Sequence, residues 1–439
     1  MSIDSSPSSA HSPTRTNDEH RGAVFQLIIG IICMVMIANL QYGWSLFVIP
    51  INHKFHWSRA AIQVAFSLFV LAETWLVPIE GWFVDQFGPR IVVMAGGLLV
   101  ALAWGIDSVA ASLPVLYGAA ILSGIGAGAV YGTCLANALK WFVGRRGVAT
   151  GFTAAGFGAG AAATVIPIRE IIAYHGYQSA FLWMGLLQGS VILIASQFLK
   201  APAHALAPPV VRAGRNLHSI HNFKPMEVLR TPLFWVLYGM FVLVATGGLI
   251  VTAQLASIAS DFGVADSPLS LLGITGTVLT FALLVDNLMN GLARPFFGWI
   301  SDHIGRELTM FIAFMANALA TGALSIYGRS PVMFLVTSAL IYFTWGEIYS
   351  LFPSTCTDSY GRQFAATNAG MLYTAKGTAA LLVPVASLLA GSTGGWQAVF
   401  SIGAAMNVVA AIMALVVLKP MRAAQHTRPK PSSALYTET

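Results

Sequence analysis

Two basic side chains stand inside long apolar runs, where ionised groups are costly and are retained for a use. Lys376 falls about half-way along the run 363–390, ~20 Å of helix from its start. Arg294 lies in the run 268–300, about 12 Å of helix from its nearer end at Asp302, so its head could also snorkel to the interface. Gly291 and Pro295 beside it suggest an irregular segment that faces protein. One Lys and one Arg in apolar surroundings attract an anion, and Arg can hold a carboxylate through two parallel hydrogen bonds. Aromatic and amide side chains at helical spacing could wall such a cavity: Trp345 with Tyr349, Tyr373 ahead of Lys376, Gln41 with Tyr42, and Tyr131. Taken singly, each ring is an ordinary packing residue. Carboxylates occur in the same runs. Glu73 and Glu80 share a helix face, Asp286 lies roughly on the side of Arg294, and Glu347 points away from Trp345. Each is a candidate charge partner of a cation or a proton carrier. No H-E-x-x-H pair and no Ser/His or paired-Asp arrangement of catalytic spacing is present, so an enzyme is not expected.

The elements that must hold these residues are membrane helices. The chain of 439 residues is 56% hydrophobic and 9% charged, against roughly 25% charged in a soluble protein. Runs such as 27–47, 91–111 and 398–418 supply the ~20 apolar positions of a transmembrane helix. Short alternating segments are absent, which argues against a closed barrel. The expected fold is an all-α membrane protein of twelve transmembrane helices, the first over 23–49 and the eighth over 268–300. The Ser- and Pro-rich stretch 1–22 reads as a disordered cytoplasmic tail rather than a signal peptide. A second tail is expected over 419–439. About 17 of the 23 Lys and Arg fall in the tails and inward loops, whereas Lys54, Arg59, Arg169 and Arg329 fall outward. That bias sets both termini in the cytoplasm, and it explains the net charge of +6 as a topology signal rather than a nucleic-acid site. Cys33, Cys134 and Cys356 have no metal-like spacing and read as packing residues.

A repeat divides the chain. The frame G-x-x-x-D-x-x-G occurs from Gly81 through Asp85 to Gly88, followed by Arg90, and from Gly298 through Asp302 to Gly305, followed by Arg306. Gly144-Arg145 and Gly361-Arg362 recur at the same offset, 298 − 81 = 217 and 361 − 144 = 217. The expected organisation is an N-terminal six-helix bundle over 23–200, a basic cytoplasmic connector over 201–231 and a C-terminal bundle over 232–418. Lys376 and Arg294 have Ala159 and Val77 as repeat partners, so the symmetry is broken where charge appears. The motif resembles that of the major facilitator superfamily over nearly the whole chain. In that family a cluster of this kind latches the cytoplasmic side, which implicates Gly81, Asp85, Arg90, Arg145, Gly298, Asp302, Arg306 and Arg362. Gly81 and Gly298 are expected to permit close helix approach, and so are the glycines at 124, 126, 128, 156, 158 and 160. The resemblance implies two pseudo-symmetric bundles with a substrate site between them near the midplane.

A sharper resemblance follows from LQYGWSLF (40–47), VYGTCLANALKWF (130–142), NGLARPFFGWISDHIGR (290–306), FTWGEIYSLFPS (343–354) and YTAKGTAA (373–380), which look like segments of bacterial oxalate/formate antiporters. That resemblance implies that Arg294 and Lys376 hold the anion inside a cage of Gln41, Tyr42, Tyr131, Trp345 and Tyr349. Tyr373 stands where the family pattern has Trp, and Glu73, Asp286 and Glu347 where it is largely neutral. The implied activity is exchange of small carboxylate anions, oxalate for formate, without metal or cofactor. The implied setting is a bacterial inner membrane, with the protein a monomer in the lipid bilayer. The alternative is proton-coupled symport of a monocarboxylate.

Overall fold

The computed structural model describes residues 13–142, 146–202, 222–271, 273–361 and 364–427, excluding the side chains of residues 13–20, 81, 85, 146–148, 150, 274, 366, 426 and 427. The first part of the chain forms α1 (Pro13–Tyr42), α2 (Ser45–Phe55), α3 (Arg59–Trp75), α4 (Val77–Val109), α5 (Leu113–Trp141) and α6 (Arg146–Ser196). A short α7 (Pro225–Leu229) precedes α8 (Pro232–Asp261), a hairpin of β1 (Pro268–Leu271) and β2 (Ile274–Thr277), and α9 (Val278–Ile304). There follow α10 (Arg306–Tyr327), α11 (Pro331–Trp345), α12 (Ile348–Tyr360), α13 (Ala365–Ala380), α14 (Leu382–Thr393), α15 (Gln397–Met413) and, after a π-helical turn, α16 (Lys419–Thr427).

Among the described residues, nine helical stretches are long and apolar enough to cross a membrane singly. Twelve crossings follow from three local features. Arg59–Trp75 and Val77–Val84 form one span bent by 41° at Leu76. Gly151–Ser196, with 46 residues, is twice too long for one crossing and is divided at Gly176. The helix α9 is a span whose apolar run is interrupted by Asp286, Arg294 and Asp302.

The loop motif has a backbone cause in both halves. Gly88 adopts φ 77°, ψ 165° and Gly305 adopts φ 97°, ψ 156°. That region is open essentially to glycine alone, so the second Gly of each frame turns the chain from one span into the next. The first Gly of the second frame does something less demanding than expected. A Cβ on Gly298 would lie 3.9 Å from that of Ser350, an ordinary contact. Close approaches occur at other glycines. Gly128 of α5 lies against the Glu73 carbonyl, and Gly158 of α6 against the backbone of Asn287 and Gly291. Thus α6 meets α9 across the two halves, while the glycines of α5 pack inside the first half. The seam continues with α3 against α13 and α14 and with α2 against α8.

Several boundaries differ from expectation. Helix α1 begins at Pro13, inside the expected tail, and α16 occupies the start of the other tail. Once a long apolar helix is nucleated, adding residues at its ends costs little. Ion pairing of Arg422 with Glu307 holds α16. The connector contains α7. The eighth span starts at Val278 because 268–277 is a hairpin: Gly273 supplies φ 81°, and Thr275 and Thr277 suit extended backbone.

Four spans are interrupted at similar points along their length. The breaks fall at Gly43–Trp44 (α1 to α2), Leu76 (α3 to α4), Gly346–Glu347 (α11 to α12) and Leu381 (α13 to α14).

Candidate functional site

The side chains expected to form a cage come together where those breaks cluster. Helix α13 carries Lys376, α9 carries Arg294, and the last turn of α1 carries Gln41 and Tyr42. Lys376 is 1% exposed and Arg294 3%, which rules out snorkelling to water for either head. The Lys376 ammonium donates to Glu73 Oε2 at 2.8 Å, to Gln41 Oε1 at 2.8 Å and to Tyr373 Oη at 3.2 Å. Glu73 belongs to α3, so this buried ion pair joins the two halves of the chain.

Arg294 is held differently. Its Nη1 donates to the Ala154 carbonyl of α6 at 2.9 Å and its Nη2 to Asn290 Oδ1 at 3.1 Å. The same Asn290 oxygen accepts from Tyr42 Oη at 3.1 Å, which ties α1 to α9. The guanidinium carbon lies 4.4 Å from the Tyr349 ring centroid, and the Lys376 ammonium lies 5.7 Å from it. One ring therefore faces both cations. Tyr131 stacks on Tyr373 at 5.8 Å, and Tyr349 meets both Trp345 and Tyr373 edge-on. Phe157 fills the angle between Tyr42 and Tyr131. Gly248 of α8 makes room for the Trp345 indole, since a Cβ there would overlap the ring.

Four buried donors of this cluster have no hydrogen-bond partner among the described residues: Arg294 Nε, Gln41 Nε2, Trp345 Nε1 and Tyr349 Oη. Buried donors are normally satisfied, so a concentration of open ones beside a cation suits an acceptor-rich ligand.

The remaining carboxylates are not brought to the cations. Asp286 accepts from Ser338 Oγ at 3.0 Å and forms no ion pair with Arg294. Both oxygens of Glu347, at the α11–α12 break, lack partners among the described residues. Glu80 lies buried beside Gly128, also without a partner among the described residues.

Of the latch residues, Arg145 and Arg362 lie outside the described residues, and at Gly81 and Asp85 only the helical backbone is described. Arg90 donates to Gln197. Arg306 pairs with Asp302 at 2.8 Å and with Asp358 at 3.1 Å, all within the C-terminal half. At the other end of the bundle, Arg59 of α3 pairs with Asp261 of α8 at 2.6 Å, and Trp396 Nε1 donates to the same carboxylate oxygen. This contact borders a cleft of about 620 Å³ lined by Gln254, Arg329 and Ser387 among others. Sequence reasoning did not anticipate Asn290, Phe157 or Gly248. Only Asn290, one helical turn from Arg294, left a signal that could have been followed.

Known proteins are similar to this chain over most of its length. The family model of the Major Facilitator Superfamily matches residues 29–384 and 255–436. A protein of Oxalobacter formigenes described as an oxalate:formate antiporter is 35% identical over 398 residues, covering 90% of this chain and 92% of its own. Monocarboxylate transporter 13 of Bos taurus is 26% identical over 382 residues, covering 81% and 84%. Monocarboxylate transporter 12-B of Danio rerio is 24% identical over 352 residues, covering 74% and 72%.

Proposed function

The chain belongs to the Major Facilitator Superfamily, and on that premise we propose that it exchanges small carboxylate anions by alternating access, with oxalate and formate the first pair to test. The observation that carries this reading is the convergence of Arg294 and Lys376, from two different helices, inside one buried aromatic cluster at the seam between halves. Arg294 grips the carboxylate, Lys376 adds to the positive field, and Gln41, Tyr42, Tyr131, Trp345, Tyr349 and Tyr373 wall the site. The protein works as a carrier, without cofactor, in a bacterial inner membrane with both termini cytoplasmic. The charged loop residues, Arg306 with Asp302 and Asp358 among them, steady the cytoplasmic end during the cycle.

The exchange step follows from charge. A bound anion compensates the uncovered cation and lets the halves close over it, whereas the unloaded site closes slowly. Labelled formate and oxalate uptake into proteoliposomes preloaded with formate, oxalate or nothing tests this. Uptake that needs an internal carboxylate supports exchange, and equal uptake into empty vesicles overturns it. One contact favours a second reading, proton-coupled monocarboxylate symport: Glu73 touches Lys376 and keeps Oε1 without a partner, where a proton could sit. Uptake driven by a pH gradient into empty vesicles would select that reading.

A further inference from the structure

We propose that Glu73 makes this a site for monocarboxylates, by occupying Lys376 with a carboxylate of the protein's own and leaving Arg294 as the sole cation open to substrate. The inference rests on the carboxylate-carrier reading above and names the class of anion carried.

The donor inventory supports it first. A lysine ammonium has three N–H donors and no acceptor. Lys376 directs these at Glu73 Oε2, Gln41 Oε1 and Tyr373 Oη, so none is left for a ligand. A guanidinium has five donors. Arg294 commits one on Nη1 to the Ala154 carbonyl and one on Nη2 to Asn290, and its Nε has no partner. The Nε–H thus remains open to a ligand carboxylate, beside Nη groups that also meet the Tyr42 and Tyr131 hydroxyls.

Charge gives the same answer. The cluster holds two cations and one contacting carboxylate, a surplus of one positive charge. Asp286, Glu80 and Glu347 do not alter this by contact, since none forms an ion pair with either cation. A monocarboxylate on Arg294 completes the balance. A dicarboxylate would bring its second carboxylate against Glu73, or would have to expel Glu73 from a buried pair. Like-charge juxtaposition and the opening of a buried pair both disfavour the second carboxylate.

Tyr349 explains how the two cations still act together. Its ring faces both, 4.4 Å from the Arg294 guanidinium carbon and 5.7 Å from the Lys376 ammonium. Lys376 therefore positions this wall and holds Glu73 in place, while the ligand sits on Arg294. Glu73 is a specificity residue that acts through Lys376.

The test compares wild type with Glu73→Gln in proteoliposomes, using labelled formate, acetate and oxalate. The amide keeps the size of the side chain and an acceptor for Lys376 but removes the charge. Wild type is expected to exchange monocarboxylates and to carry oxalate at least about tenfold more slowly. Glu73→Gln is expected to raise the oxalate-to-formate ratio by about tenfold or more. An unchanged ratio in a folded variant overturns the proposal, even where wild type proves to be a carboxylate carrier. No flux of any carboxylate in wild type would instead sink the carrier reading on which the proposal rests. If Glu73→Gln does not fold, thermal unfolding of wild type in detergent decides. Formate or acetate should raise Tm more than oxalate at equal concentration, and the reverse order overturns the proposal.

Discussion

Lys376 of α13 and Glu73 of α3 form a buried ion pair of 2.8 Å, although 303 positions separate them in the chain. The pair is the most direct electrostatic link between the halves at the depth of the aromatic cage. Its removal has two separable consequences, because each partner leaves behind a different unpaired charge.

The first concerns stability. Lys376→Gln strands the Glu73 carboxylate in a buried site, which costs about 3–5 kcal/mol when a buried pair is broken from one side. The double variant Glu73→Gln, Lys376→Gln strands no charge and should recover most of that loss. Thermal unfolding of the purified proteins in detergent reads the difference, and a double variant no more stable than Lys376→Gln would deny the coupling.

Arg294→Lys should fail as a conservative change. Lysine cannot reach the Ala154 carbonyl and Asn290 while presenting a fork to substrate. KM for the transported carboxylate should rise by about tenfold or more, with folding little changed. Equal KM in wild type and Arg294→Lys would argue that the guanidinium does not touch the ligand.

Gly248→Ala tests the fit of the Trp345 wall. A Cβ at this position overlaps the indole, so the ring or α8 must move. Overpacking of this kind costs about 1–3 kcal/mol. Lower Tm together with weakened carboxylate binding is expected. An unchanged Tm would show that the indole has room to shift.

The Arg59–Asp261 pair should be a weak closure. Both side chains are about one-third exposed, which limits the pair to about 0–1 kcal/mol. Asp261→Asn should therefore speed labelling of a cysteine placed at Ser387 in the adjoining cleft by about fivefold at most, and less at high salt. Labelling accelerated a hundredfold would mean that this contact carries far more of the closure.

The two cations were legible in the sequence because an ionised residue inside an apolar run is conspicuous and costly. The aromatic set was legible because Trp345, Tyr349 and Tyr373 fall at helical spacing from one another or from Lys376. The loop frame pointed to the repeat, and Gly88 and Gly305 share the backbone conformation that makes the frame necessary. Partners across the seam were not legible. Nothing local distinguishes Glu73, which meets Lys376, from Glu80 seven residues later, which meets no cation among the described residues. The hairpin at 268–277 was hidden because Leu271 and Ile274 continue an apolar run whose conformation is decided by Gly273. Asn290 was overlooked because an amide carries no charge to signal its cost. Its role depends on Tyr42 arriving from another helix.

The breaks at Gly43–Trp44, Leu76, Gly346–Glu347 and Leu381 divide four spans into upper and lower limbs, with Tyr42, Glu73, Trp345 and Lys376 near the elbows. The break at Leu76 bends its span by 41°, and a helix flexes most readily where such a bend already interrupts its run. A limb that swings about such a point moves most at its own end of the bundle and least at the elbow. The ligand would rest at the pivot, touched throughout by side chains that travel least.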